Sequence, residues 1–172
     1  MLGFSGSDAE STPLYTPEQR RRRDSTVWTV VQGILAPIQF AALLVSLALV
    51  LRYLTTGTGY DAATLSIIVK TVLLLTIMVT GAIWEKVVFD RYLMAPAFYW
   101  EDVVSFGVIA LHLAYVAALL TGALGPTALM GLALVAYAAY VVNAAQFILK
   151  LRAARLGQAQ AKTQAQSLEV AA

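Results

Sequence analysis

Three carboxylic acids around one short connector are the residues of this chain best suited to acid–base chemistry. Glu85 opens the connector (residues 85–102), Glu101 and Asp102 close it, and the segment between them is polar and aromatic. Glu101 and Asp102 are predicted to begin a helix, where the positive end of the helix dipole favours ionised acids. Glu85 is predicted to end the preceding helix, where the dipole and removal of water both favour the protonated form. Acids of unequal proton affinity at one place are typical of proton-transfer sites.

The same three acids also have a purely structural interpretation. Glu101 or Asp102 would then only cap the helix that it begins. Glu85 would pair with Lys86 or Arg91 at the membrane surface. The residue types alone leave the catalytic and the structural interpretation open.

The connector lies between apolar segments that predict a membrane protein. The 172 residues are 59% hydrophobic and 13% charged, whereas soluble domains are about 25% charged. A helix needs about 20 apolar residues to cross the hydrocarbon core, and each of four windows meets or nearly meets that length. We therefore predict an all-α integral membrane protein, a bundle of four transmembrane helices at about residues 27–51, 62–84, 103–121 and 126–149.

The distribution of basic residues predicts the topology. If both termini are cytoplasmic, ten of the twelve Lys and Arg residues lie on the inner side and only Arg52 lies outside, as the positive-inside rule requires. We predict a cytoplasmic leader at 1–24, disordered to about Tyr15, a transmembrane domain at 25–152 and a disordered cytoplasmic tail at 153–172. A capped helix is predicted to begin at Thr16, and Pro37 is predicted to kink the first span. The basic residues flank spans, which gives a nucleic-acid partner no support.

Polar side chains inside the spans are predicted to form one layer. Counting about 1.5 Å per residue from the connector end places six of them at similar depth. Lys70 would cost about 2.5–3.5 kcal/mol near the bilayer centre, so it is expected to be neutral, to pair with other helices or to meet an anionic ligand. Alternatively it extends past Ser66 to the outer surface. The only histidine, His112, would ligate a metal or be hydrogen-bonded in the core. The layer comprises Gln39, Lys70, His112, Tyr115, Tyr137 and Tyr140.

Several longer segments resemble one enzyme family, the 2-vinyl bacteriochlorophyllide hydratases. The most specific are residues 81–89 (GAIWEKVVF), 100–105 (WEDVVS) and 136–147 (AYAAYVVNAAQF), and the resemblance runs from about residue 15 to 155. It implies hydration of the C3 vinyl group of chlorophyllide a, giving the 3-hydroxyethyl derivative on the way to bacteriochlorophyll. It also implies a location in a bacterial inner membrane, cytoplasmic or intracytoplasmic, and no redox cofactor.

The chemistry of such a hydration suggests roles for the candidate residues. Glu85 would protonate the vinyl group, and Glu101 or Asp102 would orient water and oppose the developing positive charge. His112 would be an axial ligand of the substrate's Mg, and Lys70 or Arg91 would meet its propionate. The remaining expected pigment contacts are Trp84, Trp100, Tyr140, Asn143 and Gln39.

Two other functions are compatible with the residues. One is a tetrapyrrole carrier or photosystem assembly factor that binds the pigment without changing it. The other is a transporter or proton channel lined by Gln39, Lys70 and Glu101, although the outer half of the bundle has few polar residues for a path. Besides pigment and lipid, the expected partners are other enzymes of the pathway or a second copy of the chain.

Overall fold

Five helices make up the part of the chain that the computed structural model describes, residues 14–171, and that part contains no strand. Four helices are long and apolar enough to cross a membrane, which confirms the predicted all-α class with four spans. The helices are α1 (Pro17–Ser25), α2 (Val27–Thr56), α3 (Tyr60–Phe89), α4 (Tyr99–Thr121) and α5 (Pro126–Ala171).

The bundle consists of two helical hairpins. α2 packs mainly on α3, and α4 mainly on α5, while α2 with α5 and α3 with α4 join the hairpins. Both hairpin turns are short and lie at the end of the bundle opposite the connector. The connector links the hairpins, so the ends of α3 and α5 and the starts of α2 and α4 meet at one end, termed the connector end.

The short first helix begins where the sequence predicts. The Thr16 side chain accepts from the backbone N of Gln19, and the Gln19 side chain accepts from the backbone N of Thr16, a complete capping box. α1 ends before Thr26, whose extended backbone separates it from α2. α1 packs against α3 at the connector end, and α2 continues through Pro37.

The helices are longer than the apolar windows, because polar residues beyond the windows continue them. α3 extends to Phe89, so Glu85 lies in its last turn and a half. The non-helical part of the connector shrinks to residues 90–98, termed the connector loop. Asp90 ends α3 at φ 62°, a left-handed conformation that Asp tolerates better than most residues.

The fifth helix differs most from expectation. Disorder is predicted from Ala153, whereas α5 continues to Ala171. The tail is rich in Ala and Gln, which are strong helix formers, so helix propensity favours continuation of the helix. The predicted disorder of the leader falls largely on residues 1–13, outside the described residues, and the division into leader, transmembrane domain and tail stays a prediction.

We expect the turn between α4 and α5 to require glycine. Gly122 has φ 65°, where a Cβ is strained, so Gly122→Ala should lower the free energy of unfolding by about 1 kcal/mol. Gly107 lies within α4 with open space around its missing Cβ, so Gly107→Ala should raise it by about 0.5–1 kcal/mol. Thermal unfolding in detergent micelles measures both, and equal effects would contradict the assigned backbone.

Candidate active site

The three acids of the connector form one buried cluster at the connector end. Glu85 comes from α3, whereas Glu101 and Asp102 come from the first turn of α4. Their exposed fractions are 5%, 7% and 4%. These values exclude the expectation that Glu85 pairs with Lys86 or Arg91 at an open surface, since Lys86 instead contacts Asp90. We call Glu85, Glu101 and Asp102 the acid cluster.

Two consecutive backbone amides of the connector loop hold two of the acids. The N–H of Met94 donates to Asp102 Oδ2 over 2.7 Å, and the N–H of Ala95 donates to Glu85 Oε2 over 3.1 Å. Met94 has φ 57°, a left-handed conformation. Successive amides around a left-handed residue can form a concave donor site for oxygens. The loop thus binds one acid from each of two neighbouring helices.

The carboxyl groups of Glu85 and Asp102 are close enough to hydrogen-bond each other. Ionised carboxylates have no hydrogen to donate, so this bond requires a proton on one of the two groups. Two carboxyl groups that share one proton behave as a coupled pair rather than as two independent acids. We call Glu85 and Asp102 the carboxyl pair.

Glu101 has a different environment from its two neighbours. Its Oε2 accepts from Lys150 Nζ of α5 over 2.6 Å, and the same ammonium group lies 5.2 Å from the centre of the Phe98 ring. This ion pair fastens α4 to α5 and balances the charge of Glu101. Glu101 therefore contacts a cation, whereas Glu85 and Asp102 contact backbone amides of the connector loop.

Aromatic rings enclose the connector end below the acids. Phe98 contacts Trp84 edge-on and stacks on Phe147, with ring centres 5.7 and 5.8 Å apart. Tyr15 stacks on Phe89 and is 2% exposed. Because burial raises the pKa of the Tyr15 hydroxyl, that residue stays neutral within the cluster. The rings and the buried Ala95 shield the acid cluster from bulk water.

The predicted tryptophans lie in opposite settings. Trp84 packs within the aromatic cluster, and its indole N–H donates to Thr29 over 2.9 Å. Trp100 is 69% exposed and contacts Tyr99 edge-on. Tyr92 and Arg91 of the connector loop are also exposed. Trp84 is thus a packing residue, whereas Trp100, Tyr99 and Tyr92 offer open aromatic surface beside the acid cluster.

Halfway along the bundle lies the predicted polar layer. Lys70 is fully buried, its Nζ lies 3.2 Å from His112 Nε2, and it lies 4.1 Å from the centre of the Tyr140 ring. The alternative in which Lys70 reaches the outer surface past Ser66 is therefore wrong. His112 Nδ1 lies 2.8 Å from the carbonyl of Val108, an acceptor, so Nδ1 carries the hydrogen and Nε2 faces the lysine as acceptor.

This layer joins the two hairpins. Lys70 belongs to α3, His112 to α4 and Tyr140 to α5, while Ser46 of α2 hydrogen-bonds Tyr137 of α5. Eleven residues separate Glu101 from His112, about 16 Å along α4. The structure therefore does not bring Lys70, His112, Tyr140 or Gln39 to the acid cluster.

An open groove of about 360 Å³ runs along α3 and is lined by Val72, Leu75, Thr76, Val79 and Thr80. At about 100° per residue these residues lie on the side of α3 roughly opposite Glu85. The groove is therefore a feature of the lipid-facing surface. Within the described residues, no group of three or more His, Asp or Glu side chains is arranged to hold a metal ion.

Sequence reasoning missed Lys150 and the two amides of the connector loop. Lys150 was detectable, since it ends the fourth window at the level where Glu101 begins the third, and antiparallel neighbours bring such residues together. The amides carried no signal in residue type, because every residue except proline has one.

Comparison with known proteins agrees with the family resemblance. Residues 15–153 match the family model described as 2-vinyl bacteriochlorophyllide hydratase. A protein of that name from Cereibacter sphaeroides is 69% identical over 144 residues, covering 83% of this chain and 89% of the relative. A second, from Rhodobacter capsulatus, is 67% identical over 143 residues, covering 83% of each chain. No solved structure matches the chain.

We expect the Lys150–Glu101 pair to stabilise the second hairpin. Lys150→Met leaves a buried carboxylate without its partner and should lower the free energy of unfolding by about 1–3 kcal/mol. Adding Glu101→Gln removes the unpaired charge and should restore most of that loss. Lys86→Met, which breaks the exposed Lys86–Asp90 pair, is the matched control and should change stability little. Thermal unfolding in micelles checks the cycle, and strictly additive losses would refute the pairing.

Proposed function

Since this chain belongs to the 2-vinyl bacteriochlorophyllide hydratase family, we propose that it adds water to the C3 vinyl group of chlorophyllide a and forms the 3-hydroxyethyl derivative. The observation that carries the assignment to a site is the buried carboxyl pair, Glu85 and Asp102, each held by a backbone amide of the connector loop. Hydration of an alkene changes no net oxidation state. The proposed reaction therefore needs no redox cofactor, and the Mg belongs to the substrate.

The carboxyl pair has the composition that this reaction requires. In the first step a proton passes from Glu85 to the terminal carbon of the vinyl group, and the electrons of the double bond form the new C–H bond. The positive charge then lies on the carbon next to the macrocycle. The oxygen of water bonds to that carbon, and the excess proton passes to Asp102. Such positioned proton transfer contributes typically about 10²- to 10⁴-fold in rate.

The connector loop supports both carboxyl groups during this cycle. Once Glu85 loses its proton, the N–H of Ala95 already donates to its Oε2 and stabilises the negative charge. The N–H of Met94 does the same for Asp102. The donors are backbone groups, whose positions are fixed by the path of the chain, so the acids keep their positions.

Charge balance in the acid cluster favours a cationic intermediate. Lys150 neutralises Glu101, so the carboxyl pair with one shared proton leaves a single net negative charge. After Glu85 gives up its proton, two carboxylates face the new cation. In a site with little water this attraction is stronger than in bulk solvent.

We place the pigment at the connector end, against the exposed rings of Trp100, Tyr99 and Tyr92. Flat aromatic side chains at this depth suit a flat macrocycle that partitions into the bilayer. Arg91 is exposed beside them, which favours it over the buried Lys70 as partner of the propionate. Asn143 contacts Ser105, which follows Asp102 by three residues on α4. Gln39 and Tyr140 lie deeper in the bundle and would contact the pigment only if it enters the bundle.

The membrane location is also part of the proposal. Four apolar helices make this a multi-pass protein, and the excess of basic residues at the connector end supports a cytoplasmic position for that end. We propose a bacterial inner membrane, cytoplasmic or intracytoplasmic. Association with other pathway enzymes or with a second copy stays a prediction.

Membranes that contain the protein should convert 3-vinyl chlorophyllide into a product heavier by one water, with a blue-shifted absorption band. Glu85→Gln keeps an acceptor for Ala95 but cannot donate the proton, so turnover should fall about 100-fold or more. Asp102→Asn should also reduce turnover. Asp90→Asn, an exposed acid of the same loop, is the control and should remain near wild type. Pigment binding without product in the wild type would indicate a carrier, and wild-type turnover in Glu85→Gln would exclude Glu85 as the acid.

A contact between His112 and the substrate's Mg requires Lys70 to withdraw from Nε2. Because that nitrogen already faces Lys70, we expect His112→Ala to lower the thermal unfolding temperature and to change pigment affinity less than twofold, about 0.4 kcal/mol or less. Absorbance titration of the solubilised protein with chlorophyllide measures the affinity. A large loss of affinity in the folded variant would instead support His112 as the axial ligand.

A further inference from the structure

Two side-chain oxygens of α5 have no hydrogen-bond partner among the described residues. They are Oδ1 of Asn143 and Oε1 of Gln146, and both atoms are buried. Asn143 as a whole is 8% exposed. A buried acceptor without a partner is destabilising, and within a membrane bundle no bulk water reaches it. Two such acceptors three residues apart on α5 therefore point to a small donor molecule between them.

Their position relative to the acid cluster is defined by two contacts between the same helices. The Asn143 amide donates to Ser105 Oγ over 2.8 Å, and Lys150 pairs with Glu101 over 2.6 Å. Along α5, Gln146 lies between Asn143 and Lys150. We call the region between the Asn143–Ser105 and Lys150–Glu101 contacts the gap. Residues three apart on a helix are neighbours, with Cβ atoms about 5–6 Å apart.

The gap is within reach of the carboxyl pair. Ser105 follows Asp102 by three residues on α4, so the two lie on one face within a single turn. Phe147, the residue after Gln146, stacks on Phe98 at the end of the connector loop. The orphan oxygens thus belong to residues within about two helical turns of Lys150, the partner of Glu101.

The chemistry of the gap favours water as the ligand. Two amide oxygens accept hydrogens, and water has two hydrogens to donate, whereas an anion would be repelled by both oxygens. A water that donates both hydrogens keeps its lone pairs directed away from its partners. That orientation is the one a nucleophile needs.

We propose that Asn143 and Gln146 bind the water molecule that adds to the vinyl group. This inference rests on the proposed hydratase function and names the residues that position its second substrate. The water oxygen forms the C–O bond with the cationic carbon by donating a lone pair. One of the two hydrogens of the resulting oxonium then leaves its amide oxygen and passes as a proton to Asp102, and the O–H bond electrons stay on the oxygen. Because the water is held on one side of the planar cation, one epimer of the alcohol should predominate.

The test uses the full-length protein and compares Gln146→Met with Gln146→Glu. The first removes the acceptor at nearly constant side-chain size, and the second keeps an acceptor beside the ammonium group of Lys150, one turn away. Gln32→Met is the matched control, since it also removes an amide, one that donates to Thr80 over 2.8 Å on the other hairpin. The readouts are kcat, pigment affinity by absorbance titration and the ratio of the two alcohol epimers by chiral chromatography.

Gln146→Met should lower kcat about 10- to 100-fold, leave pigment affinity nearly unchanged and give a mixture of epimers. Gln146→Glu should retain the epimer preference, and Gln32→Met should retain both rate and preference. Asn143→Leu should behave as Gln146→Met does, provided that its thermal unfolding shows a folded protein. An unchanged epimer ratio and kcat in the folded Gln146→Met and Asn143→Leu variants would overturn the inference. A wild type that forms no hydroxyethyl product would instead overturn the hydratase function on which it rests.

Discussion

The constraint on which the connector end depends is the burial of two carboxyl groups from different helices against two consecutive backbone amides. Glu85 on α3 and Asp102 on α4 would repel each other as two buried anions. The N–H groups of Met94 and Ala95 offset part of that cost, because each donates to one of the two carboxyl groups. The left-handed conformation of Met94 and the burial of Ala95 follow from the same requirement, because the loop must turn its amides inward.

Elsewhere in the bundle, buried polar residues join one helix to another. Lys70 and His112 form a fully buried contact that joins the hairpins halfway along the bundle. Lys150 and Glu101 join α4 to α5 near the acids. In each case a group that is expensive to place in a membrane is paired across helices, where it fixes their relative position. The carboxyl pair remains the exception, since its partners are a loop and each other.

Tests of these roles need readouts of structure as well as turnover, because most polar residues of this bundle also hold helices together. The sequence predicted the four spans, the capped first helix, the polar layer and the acids of the connector. It did not predict that Glu101 would form an ion pair with Lys150. It also did not predict that Trp84 would pack within the aromatic cluster while Trp100 is exposed. These outcomes depend on which faces of α3, α4 and α5 meet, and apolar residues surround all of these helices, so periodicity alone does not select a face.

The residue types within each segment determined its secondary structure. Long apolar windows can only be helices in lipid, since the backbone must satisfy its own hydrogen bonds there, and Thr16 with Gln19 suffices to start α1. The tertiary structure decided which polar groups become partners. Lys70 met His112 and Asp102 met Glu85 because helices from separate hairpins lie side by side, and that adjacency is a property of packing that no single segment carries.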